Sequence, residues 1–172
     1  MMASASARSA ISMRVAIGSA LSPTRARTTA GCVLRSTAAG KVLLASLDDG
    51  EARKLVGRAK LAAITPHTIT DPAALVASLA KVRRQGYATV VEENIPGVLS
   101  VGAPITDRGG NVVAALSVAF PKYLESGLTL QGSIPLVTAA ALRISRALGG
   151  GELGTASAMR LTSIGERYGG KR

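Results

Sequence analysis

The residues that carry most protein chemistry are scarce in this chain. Cys32 and His67 are the only members of their types among 172 residues, and tryptophan is absent. A lone cysteine makes no internal disulfide, and no Cys/His spacing remains from which a zinc site could be built. The chain therefore suits a reducing compartment, a cytoplasmic location is expected, and neither a metal nor a cofactor is. Aromatics number four, Tyr87, Phe120, Tyr123 and Tyr168. That leaves few stacking platforms for single-stranded nucleic acid and requires a core of Ala, Val, Leu and Ile. Apolar runs are broken by Gly, Ser or charges well short of the roughly 20 residues that cross a bilayer, so no membrane partner is expected.

Acidic residues are also few, ten against 21 basic, for a net charge of +11. The excess sits at the ends. Residues 1–47 hold six basic residues and no acid, residues 48–126 hold nine against eight, and residues 127–172 hold six against two. A nearly neutral middle with basic ends reads as a folded domain with solvated tails, and no helix-turn-helix pattern, zinc-finger spacing or basic stripe accompanies it. Weak, salt-sensitive association with DNA is all the ends would support. The first 30 residues have the Ser, Ala and Arg content of a transit peptide, but Ile11, Met13, Val15 and Ile17 alternate as on a strand, which argues against removal.

With 47% apolar residues the chain is long enough for one domain with a true core. Three regions are expected: residues 1–35, an N-terminal segment, partly disordered, with one strand at 11–17; residues 36–149, the domain itself; and residues 150–172, a flexible basic tail. Within the domain, residues 36–47 predict a helix capped by Ser36 or Thr37, with Val42, Leu43, Leu44 and Leu47 as its apolar stripe. Residues 48–57 predict a second, ended by Gly57. A third carries both ends in its sequence: Thr70 or Asp71 as cap, Pro72 in the first turn, apolar Leu75, Val76, Leu79 and Val82, basic residues in the last turn, and a left-handed stop at Gly86. The period then changes to two. Strands are expected at 87–94, 97–105 and 111–120, the last two forming a hairpin through Asp107–Gly110. A final helix, broken or begun near Pro135, would present Leu136, Val137, Ala140, Ala141, Ile144 and Leu148. The fold class is α+β, helices over an antiparallel sheet.

No catalytic constellation emerges, and no enzyme is expected. "GGGELG" at 149–154 has the letters of a dinucleotide-binding turn but follows a helix instead of a strand. "SLAK" at 78–81 lacks the partner motifs of a serine acyl-enzyme and reads as ordinary helix. "AAGKV" at 38–42 lacks the earlier glycine and the Ser or Thr of a phosphate loop. Cys32 and His67 form a conceivable nucleophile pair by count, against neighbourhoods that read as an apolar segment and a turn. Glu92 and Glu93 are adjacent, so in a strand they would point to opposite faces.

Five ordered signatures remain: A-G-K-x-L-L-A from Ala39, T-x-x-T-I-T-D-P from Thr65, R-x-x-G-Y-A from Arg83, E-E-x-x-x-G-V from Glu92, and D-x-x-G-x-V-V-A-A-L-S-V from Asp107. Together they resemble the C-terminal effector-binding domain of the IclR family of bacterial transcriptional regulators, over about residues 11 to 149. The resemblance implies a GAF-like fold whose curved antiparallel sheet cups a small organic acid. It places effector-binding positions at Ala38 and Ala39, through backbone N–H groups, and at Val90, Ser100, Ser117 and Ala119. Relatives that bind very small acids tend to be polar at the positions of Val90 and Ala119; their apolar identity here implies a larger or less polar carboxylate, aromatic acids included. The resemblance further implies a homo-oligomer, dimer or tetramer, and DNA contact only through a winged helix-turn-helix that would precede Met1. Two departures stand out. That DNA-reading part is absent from the sequence, and the basic stretch before Lys41 is longer than the family's usual link. A truncated modulator that pairs with full-length regulators, and a small enzyme using Cys32 or His67, are the alternatives.

Overall fold

A computed structural model describes residues 34–58, 61–124 and 129–151. The strand expected at 11–17, Cys32 and most of the tail lie outside them. After a helical turn at 34–36, Thr37 is extended and its hydroxyl accepts the Gly40 amide, which starts helix α1, Ala38–Ala45. Thr37, not Ser36, is thus the cap. Asp48 accepts the Glu51 amide at 2.8 Å ahead of helix α2, Asp49–Arg58, which runs through Gly57 instead of ending there. Helix α3, Pro72–Gln85, has the ends expected of it: Asp71 accepts the Ala74 amide at 2.7 Å, and Gly86 stops the helix at a φ of 78°.

Three strands follow, β1 (Ala88–Val91), β2 (Val98–Thr106) and β3 (Val112–Pro121), antiparallel in the order β1-β2-β3. β1 ends earlier than its alternation suggested. Glu92 takes a left-handed φ of 56°, which breaks the pleat, so both glutamates sit in the bend and not on opposite strand faces. The β2–β3 turn is closed by Asp107, whose carboxylate accepts the amides of Gly109 and Asn111.

Period-two alternation divides the sheet between two cores. Ala88, Val90 and Ala115 face α1 and α3 and join Ala38, Val42, Leu75 and Leu79. Val101, Ala103, Ile105, Ala114 and Leu116 face the last helix. The sheet is therefore covered on both sides among the described residues, in keeping with an α+β architecture.

The last helix, α4, departs from expectation twice. It spans Leu130–Ala147 without a break, with Pro135 in its interior. A proline there removes one backbone bond and costs about 3 kcal/mol in an isolated helix. Packing of α4 along β2 outweighs that cost. The buried stripe is also rotated from the expected one: Val137 and Ala141 face the sheet as expected, joined by Ser133 and Ser145, while Leu136, Ile144 and Leu148 are 64%, 39% and 52% exposed. Small side chains let the helix approach closely, and Ser145 Oγ accepts the Thr106 amide at 2.9 Å while donating to the Ala141 carbonyl. Beyond α4 the chain stays held: the Gly150 amide donates to the Ser145 carbonyl at 2.8 Å, and Thr106 Oγ1 donates to the Gly151 carbonyl at 3.3 Å.

Candidate ligand-binding site

The four strand positions singled out from the sequence fall on one face of the sheet. Val90 pairs with Ser100, and Ser100 with Ala119, so these three form one row across β1, β2 and β3. Ala88, Gly102 and Ser117 form the adjacent row. Exposure rises along the first row: Val90 and Ser100 are buried, and Ala119 is exposed. The floor is closed on the β1 side and open on the β3 side.

Helix α1 supplies the wall. Its first residue lies directly on Gly102: a Cβ there would come within 2.8 Å of the Ala38 carbonyl carbon and 2.9 Å of its oxygen. Only glycine admits an approach this close. Ala38 is fully buried and Ala39 half-buried, and both contribute first-turn amides, where a helix leaves N–H groups without intrahelical partners and carries partial positive charge. The six positions thus lie either in the first turn of α1 or on the sheet face against which α1 packs. An anion could be received there by backbone donors, with apolar and hydroxyl side chains lining the rest.

Beside this space lies a polar network that the sequence reading did not identify. Lys41, one turn along α1 from Ala38, is 2% exposed and its Nζ donates to Glu93 Oε1 at 2.5 Å. Glu93 is 8% exposed, and its other oxygen is buried with no hydrogen-bond partner among the described residues. Ser36 donates to the Asn94 side-chain oxygen at 3.1 Å. Thr65 donates to the Glu92 carbonyl at 2.6 Å and Thr68 to the Glu93 carbonyl at 2.7 Å, so the T-x-x-T signature clasps the bend. Glu92 locks it from within: one oxygen accepts from Lys122 at 2.6 Å and the other from the Gly97 amide at 2.9 Å. The Lys122 ammonium, then the Gly97 amide, hold the Glu92 carboxyl below its ordinary value. A lysine inside the apolar run of α1 was the available signal for a buried partner.

The remaining candidates stand apart. His67 is exposed on the 65–68 turn and its amide donates to Thr65 Oγ1. Ser78 and Lys81 lie within α3. No group of metal-binding side chains occurs among the described residues, and no described helix is long and apolar enough to cross a membrane.

Residues 7–146 match the family model described as bacterial transcriptional regulator IclR C-terminal. Among curated proteins, the chain is 39% identical over 116 residues to the HTH-type transcriptional regulator KdgR of Escherichia coli K12, covering 67% of this chain and 44% of KdgR. It spans less than half the length of that relative and of others it matches. Among solved structures, the C-terminal domain of E. coli KdgR superposes with a TM-score of 0.61 at 39% identity, covering 67% of this chain and 71% of that one. A double mutant of the inducer-binding domain of PobR from Acinetobacter, in complex with 3-hydroxybenzoic acid, gives 0.57 at 27% identity, with 65% of each chain covered.

Proposed function

We propose a function that starts from an established premise: the chain belongs to the IclR family of bacterial transcriptional regulators, through the C-terminal domain of that family. It is a non-enzymatic, ligand-sensing and oligomerising domain that binds a small organic acid. Two conformations with different affinity for the acid would then bias DNA binding by a winged helix-turn-helix carried outside these residues. The observation that supports this reading is that Val90, Ser100, Ser117 and Ala119 share one sheet face and that the first turn of α1, with Ala38 and Ala39, packs against that face at Gly102. There α1 offers amides to a carboxylate, and Val90 and Ala119 offer it apolar surface. The apolar lining favours an aromatic or similarly bulky acid. The 3-hydroxybenzoate bound by the PobR relative supports the same class.

The test is a thermal-shift screen of the purified chain against aliphatic and aromatic carboxylic acids. A ligand of the folded state adds about 2.7 kcal/mol of stability at a hundredfold excess over its dissociation constant. Aromatic acids are expected to raise the midpoint. Ser100→Ala, which removes the hydroxyl from the floor and adds no bulk, should weaken the best acid by about five- to tenfold, the equivalent of one hydrogen bond. No shift with any acid in a folded chain would refute the sensor reading.

A further inference from the structure

The buried Lys41 and Glu93 pair is poorly explained as a source of stability. Taking two charges out of water is costly, and a buried pair can often be exchanged for apolar residues of similar volume without loss. Here Glu93 Oε2 is buried with no partner among the described residues, so within them the pair is not fully satisfied. What the pair does have is direction and place. Lys41 lies three residues after Ala38 on the same face of α1. Glu93 lies three residues after Val90, just past the end of β1. One bond of 2.5 Å therefore joins the two elements that carry the wall and the closed end of the floor. Among the neighbouring contacts, those from Thr65 and Thr68 hold the bend itself, and that from Ser36 ties the bend to the turn just ahead of the α1 cap, whereas Lys41 reaches it from within the helix.

We propose that Lys41 and Glu93 are positioning residues, whose ion pair sets how far helix α1 stands from the β1–β2 bend and so fixes the adjoining ligand site between the start of α1 and the sheet face. The contribution to ligand binding rests on the sensor reading above; the contribution to the bend does not. A binding site has to be held within about 0.5 Å by residues that never touch the ligand, and the pair has the burial and rigidity for that task.

The double variant Lys41→Met/Glu93→Leu removes both charges together and keeps the volume. It is expected to unfold at close to the wild-type midpoint. Its bend amides, those of Asn94, Ile95, Gly97 and Val98, should exchange hydrogen about tenfold faster than wild type. The acid that shifts wild type most, with 3-hydroxybenzoate as the first probe, should bind about tenfold more weakly. Lys41→Arg is the second variant, since it keeps the charge but lengthens the contact: affinity should fall although an ion pair is still available. A folded double variant with wild-type exchange in the bend overturns the proposal, as does a Lys41→Arg protein with wild-type exchange and affinity. Should no acid shift wild type, the sensor reading falls, and exchange in the bend alone decides the role of the pair.

Discussion

Replacing Gly102 by alanine adds one methyl group at the place where helix α1 rests on the sheet, and the cost can be worked from the contacts. The new Cβ would lie 2.8 Å from the Ala38 carbonyl carbon, 2.9 Å from its oxygen and 3.1 Å from its Cβ, where ordinary contacts begin at 3.4 Å. The obstacle is helix backbone, which cannot change rotamer to make room. The Thr37 cap and the burial of Ala38 hold that turn in place, so α1 as a unit has to lift by several tenths of an ångström. Overpacking of this kind costs about 1–3 kcal/mol. Loss of the glycine's freedom in the unfolded chain returns about 0.4–1 kcal/mol. The net expectation is a destabilisation of about 1–2 kcal/mol, read by urea or thermal unfolding as a midpoint lower by roughly 4–8 °C. Gly57→Ala is the control, because a Cβ there meets nothing within 4 Å and lies within α2; it should stabilise by about 0.5–1 kcal/mol. A Gly102→Ala protein as stable as wild type, beside a Gly57→Ala protein that gains as expected, would refute the claim that α1 and β2 are in backbone contact.

Two further substitutions test other parts of the structure. Asp71→Ala removes the exposed cap of α3 and its 2.7 Å bond to the Ala74 amide, and should cost about 1 kcal/mol in denaturant unfolding; no change would mean that Asp71 does not cap the helix. Glu92→Gln tests the lock on the bend through pH. The Glu92 carboxyl is held below its ordinary value of 4.5 in the fold, so its contribution is complete above that value and is lost as pH falls through the lower folded-state value. Wild type should lose stability over that acid range, and Glu92→Gln should show a shallower loss. Identical acid profiles would show that Lys122 and the Gly97 amide do not hold the carboxylate as described.

Local chemistry made much of the architecture readable from the sequence. The α3 helix has its carboxylate cap, N-terminal proline and left-handed glycine between Asp71 and Gly86, and each acts over one turn, so no distant contact was needed to place it. The β2–β3 hairpin is similar, since alternation and the Asp107–Gly110 turn are both short-range. The shared face of Ser100, Ser117 and Ala119 follows from period two and the hairpin register, whereas the place of Val90 beside Ser100 depends on how β1 pairs with β2 across the bend that begins at the left-handed Glu92. Tertiary structure decided the rest. Pro135 and the polar stripe of Ser133 and Ser145 argue against α4 as an unbroken helix with that face inward. Its approach to β2 favours small side chains over the larger leucines and isoleucine, because closeness of packing, not hydrophobicity alone, sets which face is buried. Lys41 and Glu93 stand 52 residues apart, and nothing in either neighbourhood says that they meet. A buried charge is tolerated only where the fold brings a partner to it, so the pair beside the ligand space exists only at the level of the folded chain.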